Sequence, residues 1–443
     1  MMDIKELNKT LEFALEKGAQ QVRLTYSKSV MNLTGILNGE VDKTAYALDQ
    51  SLQLQLFVDG RFGTFSSNRL EKEEIERFIL GAIDTVRMLE PDQFRSLPEP
   101  ERLVKDALTG KELGLYDPSY QELTSARRKE MALHSSFWSR KEEVENGFTV
   151  IAEEGEYSDS LFDSITIDSQ GLYARHTETS FEIGYEATVE DAHGNHYSNF
   201  WWDAAPLLKD LKLDTCSKTA IERASAALFP VEIDSCRTNL IVDSECAGKL
   251  VTPLLNALGG FAVQQKNSFL ADKLGQKIFP ESLSIIDLPR VPGQTGCRLF
   301  DSEGVATRDL PVIENGVVKT FFINTYIGHK MGMEPTIEDA TRVKLMPVGE
   351  CITQEDLLRE IGDGILVTGF NGGNSNAATG NFSYGIEGFL IRGGKKVHPV
   401  REMLITGDFI SLWNNIVATA RDARPCMSKL IPTLAFKDVS FSA

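Results

Sequence analysis

The side chains best suited to chemistry in this chain are six histidines, since an imidazole nitrogen can bind zinc or carry a proton. None of the six is followed by glutamate. The residues that follow are Ser, Thr, Gly, Tyr, Lys and Pro, after His134, His176, His193, His196, His329 and His398 respectively. A catalytic zinc needs about three protein ligands and usually a carboxylate that takes the proton from bound water, and H-E-x-x-H supplies these from one helix. Because this chain lacks the motif, its chemistry either lies elsewhere or belongs to a partner chain.

His193 and His196 form the one close histidine pair, an H-x-x-H. Gly194 and Asn195 between them are typical of a hairpin loop, and Asp191 is the nearest further ligand type. A polar loop is therefore favoured over a metal half-site. The phosphate-binding motifs G-x-G-x-x-G and G-x-x-x-x-G-K-[ST] are missing, as is the G-x-S-x-G elbow, so nucleotide binding is disfavoured and nothing local supports acyl transfer.

Two other groups of residues are candidates for substrate contact. An acidic pair beside Gly304 could act as catalytic carboxylates, but on a strand-turn segment we expect it to accept hydrogen bonds from backbone groups. A Gly/Asn-rich stretch at 371–381 could let another backbone approach closely, and an exposed strand edge nearby could pair with an extended peptide; ordinary turn chemistry is the alternative. The substrate-groove candidates are Asp301, Glu303, Asn371, Gly372, Gly373, Gly380 and Phe382.

Length and composition limit the class of protein. The 443 residues fit two or three domains, and the net charge of −18 would repel phosphate backbones and anionic membranes, so no direct nucleic-acid or membrane partner is expected. The N-terminal residues lack a cationic segment followed by an apolar run, and no window approaches 18 apolar residues, so we expect a cytoplasmic protein. The six cysteines have no C-x-x-C spacing and are expected to be free thiols.

The order of sequence patterns predicts an α+β fold, with helices packed on antiparallel sheets and a strand-rich C-terminal domain. Asn38-Gly39 and Asp59-Gly60 are hairpin signals, and residues 52–58 alternate with the period of a half-buried strand. Residues 91–110 resemble a linker, and the predicted domains are 1–108, 109–229 and 230–443. In the last, 245–261 is predicted to be one long apolar helix buried in the core, with Phe261 inside.

The apolar helix and the segments after it resemble the TldD/PmbA family, specifically its PmbA (TldE) branch. The matching segments are 249–261 (KLVTPLLNALGGF), 266–270 (KNSFL), 277–280 (KIFP), 300–305 (FDSEGV), 313–318 (IENGVV), 324–326 (NTY), 379–389 (TGNFSYGIEGF) and 398–400 (HPV), with 168–172 (DSQGL) further upstream. One branch of this family carries H-E-x-x-x-H on the helix and is a zinc peptidase. The resemblance places Asn256, Ala257 and Phe261 at those positions, and Cys426 near a cysteine ligand of the active branch.

The resemblance implies that this chain is the metal-free subunit of a cytoplasmic TldD/PmbA-like metalloprotease assembly acting on small or unfolded peptides. It implies no cofactor on this chain, zinc on the partner, and a dimer with a TldD-like subunit or with a second copy of itself. The family name also includes "modulator of DNA gyrase", but the acidic composition makes any such effect indirect. Two alternatives stay open, which are a homodimeric peptide-binding protein without activity and a hydrolase that uses His193, His196 or Cys426.

Overall fold

A computed structural model describes residues 2–140 and 147–443. The chain forms two compact units, each assembled from three separate stretches of sequence. The first unit comprises Met1–Ala224, Arg290–Thr307 and Asn324–Pro335, and the second comprises Ser225–Pro289, Arg308–Ile323 and Thr336–Ala443. Within the described residues, no helix has the length and apolar character needed to cross a membrane.

Strands and helices occur in runs, and the predicted α+β class with antiparallel sheets is confirmed. The helices are α1 (Ile4–Glu16), α2 (Lys72–Arg87), α3 (Ser125–His134), α4 (Phe137–Arg140), α5 (Cys216–Ala226), α6 (Gly248–Ala257), α7 (Gly260–Gln264), α8 (Thr325–Met331), α9 (Gln354–Ile361) and α10 (Phe409–Asn414). The strands are β1 (Gln21–Leu37), β2 (Glu40–Val58), β3 (Arg61–Ser67), β4 (Phe148–Asp168), β5 (Tyr173–Asp191), β6 (His196–Ala205), β7 (Cys236–Val242), β8 (Ile285–Asp287), β9 (Leu310–Glu314), β10 (Val317–Val318), β11 (Val343–Leu345), β12 (Gly364–Ser375), β13 (Asn381–Arg392), β14 (Lys395–Asp408), β15 (Ile416–Thr419) and β16 (Leu434–Ser442).

The first unit is built on an antiparallel sheet with the strand order β3-β2-β1-β4-β5-β6. Alternate residues of a strand point to opposite faces, and one face carries apolar side chains such as Leu24 and Leu54. Leu7 of α1 and Ile79 of α2 pack in the same buried cluster. Since fully burying one such side chain stabilises the fold by roughly 1.5–3 kcal/mol, this face holds the two helices on the sheet.

Both predicted hairpin turns are confirmed. Asn38 and Gly39 have φ angles of 48° and 81°, and Asp59 and Gly60 have φ angles of 50° and 71°. A two-residue turn of type I′ requires positive φ at both positions, which Asn, Asp and Gly tolerate best. These turns set the antiparallel register of β1 with β2 and of β2 with β3.

The strands of the predicted domains 1–108 and 109–229 belong to this single sheet, because β1 pairs with β4 along its length. The residues predicted as a linker are also tied to it. The carbonyl oxygens of Ala107 and Gly110 accept hydrogen bonds from the backbone N–H groups of Arg175 and Thr177 on β5, at 2.8 and 2.9 Å. The segment around the predicted boundary is thus held beside β5 by backbone hydrogen bonds.

The second unit contains two sheets. A six-stranded sheet has the order β14-β13-β12-β7-β16-β15, and a four-stranded antiparallel sheet has the order β10-β9-β8-β11. In the larger sheet, β12 and β7 are parallel, and the other described pairings are antiparallel. This strand-rich unit corresponds to most of the predicted C-terminal domain.

The prediction of one helix over 245–261 is wrong. α6 ends at Ala257, and Gly259 has an extended backbone with φ −67° and ψ 134°. Gly259 forms a parallel β-bridge with Phe322, and α7 begins after it. A pairing distant in sequence therefore interrupts a segment whose local apolar pattern is continuous.

Ordinary turn chemistry, the alternative for residues 371–381, applies only to the end of that stretch. Residues up to Ser375 belong to β12 and pair with β13, and the turn follows at 376–380. Glycine and asparagine are uncommon in strands, but Gly373 has no room for a side chain, since a Cβ there would lie 2.0 Å from the carbonyl oxygen of Ser383. Close approach of β13 explains the glycine better than a turn does.

Candidate functional site

The three positions that resemble a degenerate zinc motif lie around the break between α6 and α7. Ala257 is buried, Asn256 is exposed, and Phe261 is 52% exposed. The expectation that Phe261 lies in the core is therefore wrong. It failed because the extended backbone at Gly259 reorients α7, so Phe261 no longer continues the buried stripe of α6.

The side chains at these positions do not fit a zinc site. Zinc in proteins is bound by thiolate, imidazole or carboxylate groups, and Asn256, Ala257 and Phe261 offer an amide, a methyl group and a phenyl ring. Over residues 2–140 and 147–443, no group of three or more His, Cys, Asp or Glu residues is placed to hold a metal ion. No zinc-dependent step can be assigned to this position of the chain.

The segment that carries Cys426 is attached by a buried ion pair to the segment that precedes α6. Arg424 Nη1 lies 3.5 Å from Glu245 Oε1, and the two side chains are 12% and 7% exposed. Charges this deeply buried require a partner of opposite sign. Cys426 itself is buried. The pair therefore fixes the position of the cysteine-bearing segment although the histidines of the active branch are missing.

The second unit presents an open strand edge. β7 pairs with β12 only at residues 365–367, and β13 covers the other side of β12 as far as Ser375. Among the described residues, no strand pairs with the β7-facing edge of β12 beyond Val367. Asn371, Gly372 and Gly373 are exposed there. An exposed edge of this kind can accept an additional extended strand through backbone hydrogen bonds.

Two β-bulges shape this edge. The register with β13 shifts between Val367 and Gly369 and again between Phe370 and Gly372. Asn371 is the extra residue of the second bulge, and an added Cβ at Gly372 would meet nothing within 4 Å. Bulges bend a strand and change the direction of its side chains. The space beside Gly372 is therefore accessible to another backbone.

A lysine of α6 lies near the same part of the sheet. Lys249 is exposed, and its Nζ lies 5.1 Å from the ring centroid of Tyr384. Tyr384 is the partner of Gly373 in the β12–β13 register. Cation–π contacts of this length are worth about 0.5–1 kcal/mol at exposed sites. The contact places a positive charge close to the register position where the edge is open.

Gly380 and Phe382, two further groove candidates, are buried and serve packing. Phe382 is 5% exposed, and its ring centroid lies 4.9 Å from that of Phe409 and 5.5 Å from that of Tyr384. A Cβ at Gly380 would lie 3.0 Å from the ring of Phe269. The exposed members of the candidate set are therefore Asn371, Gly372 and Gly373, supported by an aromatic cluster beneath them.

Asp301 and Glu303 belong to the first unit, whereas the residues of β12 belong to the second. Asp301 Oδ1 accepts hydrogen bonds from the backbone N–H groups of Glu303 and Val305, both at 2.9 Å. Glu303 Oε2 accepts from the N–H and hydroxyl of Thr325, at 2.8 and 2.9 Å. The expectation that these carboxylates bind backbone groups is confirmed. They hold a turn and the start of α8.

Arg23 is a buried charged residue that no sequence motif indicates. It is 3% exposed, and its Nη2 lies 3.6 Å from Asp168 Oδ2. Burial lowers the pKa of Arg23, although the charges of Asp168, Glu303 and Asp301 oppose that shift. The two acidic candidates thus also serve as counter-charges for a buried guanidinium. A lone arginine in an alternating strand carries no signal that it will be buried.

His193 lies in the predicted hairpin loop, and His196 is the first residue of β6. His193 and His196 are exposed, and the Asp191 carboxylate accepts hydrogen bonds from the backbone N–H groups of His193 and Asn195, at 2.8 and 2.9 Å. Hydrogen bonds from Asn195 hold the pKa of Asp191 below its usual value. His196 Nε2 is 3.5 Å from Glu190 Oε1. The Asp191 carboxylate is therefore used to close the hairpin.

Comparison with known proteins identifies the family of this fold. Models of the PmbA/TldA metallopeptidase family match residues 22–85 (domain 1), 118–228 (central domain) and 235–443 (C-terminal domain). The chain belongs to this PmbA/TldD family, as the sequence resemblance indicated. Metalloprotease PmbA of Escherichia coli O157:H7 is 25% identical over 402 residues, which cover 89% of this chain and 87% of that protein.

Solved structures agree with this assignment. The crystal structure of a protein from Bacteroides thetaiotaomicron, named as a candidate modulator of DNA gyrase, is 34% identical with a TM-score of 0.94 and covers 100% of both chains. TldE from Thermococcus kodakarensis is 22% identical with a TM-score of 0.82, covering 99% of this chain and 100% of that one, and has the same fold.

Proposed function

We propose that this chain is a subunit of a TldD/PmbA-like metalloprotease assembly that acts on small or unfolded peptides. The catalytic zinc and the water-activating glutamate would belong to a TldD-like partner. Membership of the family supports this role, as do the metalloprotease and TldE names of its relatives. The zinc-motif positions Asn256, Ala257 and Phe261 offer no zinc ligands, which favours a supporting subunit over an independent peptidase.

The observation that carries the proposal is the open edge of β12 from Gly369 to Ser375. A peptide that adds to this edge would be bound mainly through its backbone, so its sequence would matter little. Unfolded chains are the class of substrate that can supply an extended segment. Lys249 would favour peptides with acidic side chains or a carboxylate near this point.

We place the assembly in the cytoplasm. We expect no membrane or direct nucleic-acid contact, because the chain carries a net charge of −18. The effect on DNA gyrase suggested by the names of relatives would then be indirect.

Purification from the native cell tests the subunit role. A tagged chain should co-purify with a family member that contains H-E-x-x-x-H, and zinc measured by elemental analysis should follow that partner. A dimer of this chain alone that binds peptide would favour the homodimeric binding protein. A tightly held zinc on this chain, lost on His193→Ala or His196→Ala, would favour the hydrolase.

Peptide binding tests the strand edge. A fluorescent hexapeptide should bind with micromolar or weaker affinity, and N-methylation of alternate backbone amides should weaken it at least tenfold because the hydrogen bonds are lost. Lys249→Gln should weaken the binding of an acidic peptide, whereas substitution of Lys395, an exposed lysine at the start of β14, by Gln should not. Equal binding of the methylated and unmethylated peptides would rule out strand addition.

A further inference from the structure

A cavity in the first unit has the size and lining of a small-molecule site. It has a volume of about 500 Å³, and its floor is the sheet face opposite the apolar core. Residues 295–302 form one wall. Small-molecule sites in proteins have volumes of roughly 300–1,000 Å³. The cavity is therefore large enough to enclose much of a small ligand.

The floor of the cavity is lined by hydroxyl groups. Thr25 and Ser27 of β1 lie beside Thr166 and Ser164 of β4 in the strand register. Thr25 Oγ1 and Thr166 Oγ1 are 3.1 Å apart. Neither Ser27 nor Ser164 uses its hydroxyl in a hydrogen bond with the described part of the chain. Since each hydroxyl can donate and accept, this floor suits a polar ligand.

Opposite charges lie on the walls. Glu178 Oε2 is 3.1 Å from His176 Nε2, and its side chain is 42% exposed. Burial acts to raise the pKa of Glu178, but the hydrogen bond from His176 and the charges of His176 and Arg298 more than offset it and lower the pKa. Glu178 therefore stays ionised at neutral pH. The exposed Arg298 guanidinium has no hydrogen-bond or ion-pair partner in the described residues.

The other acidic group of the lining is already occupied. Asp301 Oδ1 accepts the two backbone hydrogen bonds that hold its turn. Glu178 Oε2 is paired with His176, so its Oε1 and the nearby Arg298 guanidinium remain for a ligand, above a neutral polar floor. A ligand that satisfies both carries an ammonium and a carboxylate group.

We propose that this cavity binds a zwitterionic short peptide, such as a free dipeptide, with its carboxylate at Arg298 and its ammonium at Glu178. The hydroxyls of Thr166 and Ser164 would contact the peptide group between them. This site lies in the first unit and is distinct from the β12 edge, so it stands whether or not the chain joins a peptidase. A free dipeptide is also the kind of molecule that proteolysis releases.

Isothermal titration calorimetry of the full chain tests this site with three probes, Ala-Ala, N-acetyl-Ala-Ala and Ala-Ala-amide. Ala-Ala should bind at one site per chain, and each capped form should bind at least tenfold more weakly. Arg298→Gln should remove the preference for a free carboxylate, and Glu178→Gln should remove the preference for a free ammonium. Arg308→Gln and Glu186→Gln, exposed residues outside the cavity, should change the affinity by less than twofold.

The outcomes separate the possible ligands. No binding of Ala-Ala at millimolar concentration would overturn the proposal, as would equal binding of the free and capped forms. Binding of maltose in place of Ala-Ala would assign the hydroxyl floor to a carbohydrate. Unchanged preferences in Arg298→Gln and Glu178→Gln, with unchanged melting of both variants, would place the dipeptide elsewhere on the chain.

Discussion

Gly259 and Phe322 lie side by side as a parallel β-bridge. Phe322 N–H donates to the carbonyl oxygen of Leu258 at 2.9 Å, and Gly260 N–H donates to that of Phe322 at 2.7 Å. The bridge separates α6 from α7 within the six residues where H-E-x-x-x-H would stand. Its position has a direct consequence for attempts to restore a zinc site.

The triple variant Asn256→His, Ala257→Glu, Phe261→His should not gain peptidase activity. Ala257 is 2% exposed, so a glutamate there would be a buried carboxylate. The site would also still lack an open coordination position for water and the neighbouring groups that orient the ligands. Elemental analysis and peptide cleavage with added zinc measure the result, with the unaltered chain as control. Efficient cleavage would show that the site lacks only its ligands.

Phe261→Ala should cost little stability. Phe261 is 52% exposed, so we expect a loss of about 1 kcal/mol or less in the free energy of unfolding. Phe409→Ala is the matched control. Because Phe409 is fully buried, its substitution should lower the free energy of unfolding by about 3–5 kcal/mol. Denaturant unfolding compares them. Equal losses would mean that Phe261 is packed against something in solution.

Asp159→Ala should be strongly destabilising. Its carboxylate is fully buried and accepts from Arg128 Nε at 2.6 Å and Nη2 at 3.0 Å. Removing one partner of a buried pair leaves an uncompensated charge and costs about 3–5 kcal/mol. The control Glu76→Ala, which breaks a surface pair with Lys72, should cost roughly 0.5 kcal/mol or less.

A double variant identifies the source of that cost. If the loss comes from the unpaired guanidinium, Asp159→Ala combined with Arg128→Ala should lose less stability than the sum of the two single changes. Additive losses would show that the two side chains stabilise the fold independently.

Cys351 should resist alkylation in the folded protein. Burial, followed by the Glu360 carboxylate 2.9 Å from its Sγ, raises the pKa of the thiol from 9.0 to about 11. Because thiolate is the reactive form, iodoacetamide at pH 8 should label the partly exposed Cys236 much faster. Mass spectrometry measures both sites. In Glu360→Gln, labelling of Cys351 should begin at lower pH, and an unchanged profile would contradict the assigned cause.

The raised pKa also links Cys351 to stability. Folding favours its protonated thiol, so this contribution is present below the ordinary pKa of 9.0 and is lost as the pH rises towards about 11. Cys351→Ala should therefore reduce the fall in stability over that range. An identical pH dependence in the variant would assign the fall to other groups.

Features that depend on local patterns could be predicted from the sequence. The turns at Asn38-Gly39 and Asp59-Gly60 were predictable because positive φ selects these residue types. The α+β class followed from grouped strands and helices, and the family followed from many short motifs in order. The backbone roles of Asp301 and Glu303 were also predictable, because carboxylates beside a glycine turn commonly accept backbone hydrogen bonds.

The exposure of the candidate-site residues could not be predicted in this way, because it depends on contacts between distant parts of the chain. The break at Gly259 depends on pairing with Phe322, which lies far along the chain, so the apolar pattern of 245–261 could not reveal it. Gly372 and Gly373 became part of a strand because β13 approaches β12 closely there. The cavity with Glu178 and Arg298 likewise depends on a wall, residues 295–302, that comes from a distant stretch of sequence. Contacts between residues far apart in sequence have no local signature, and they set the exposure on which this site depends.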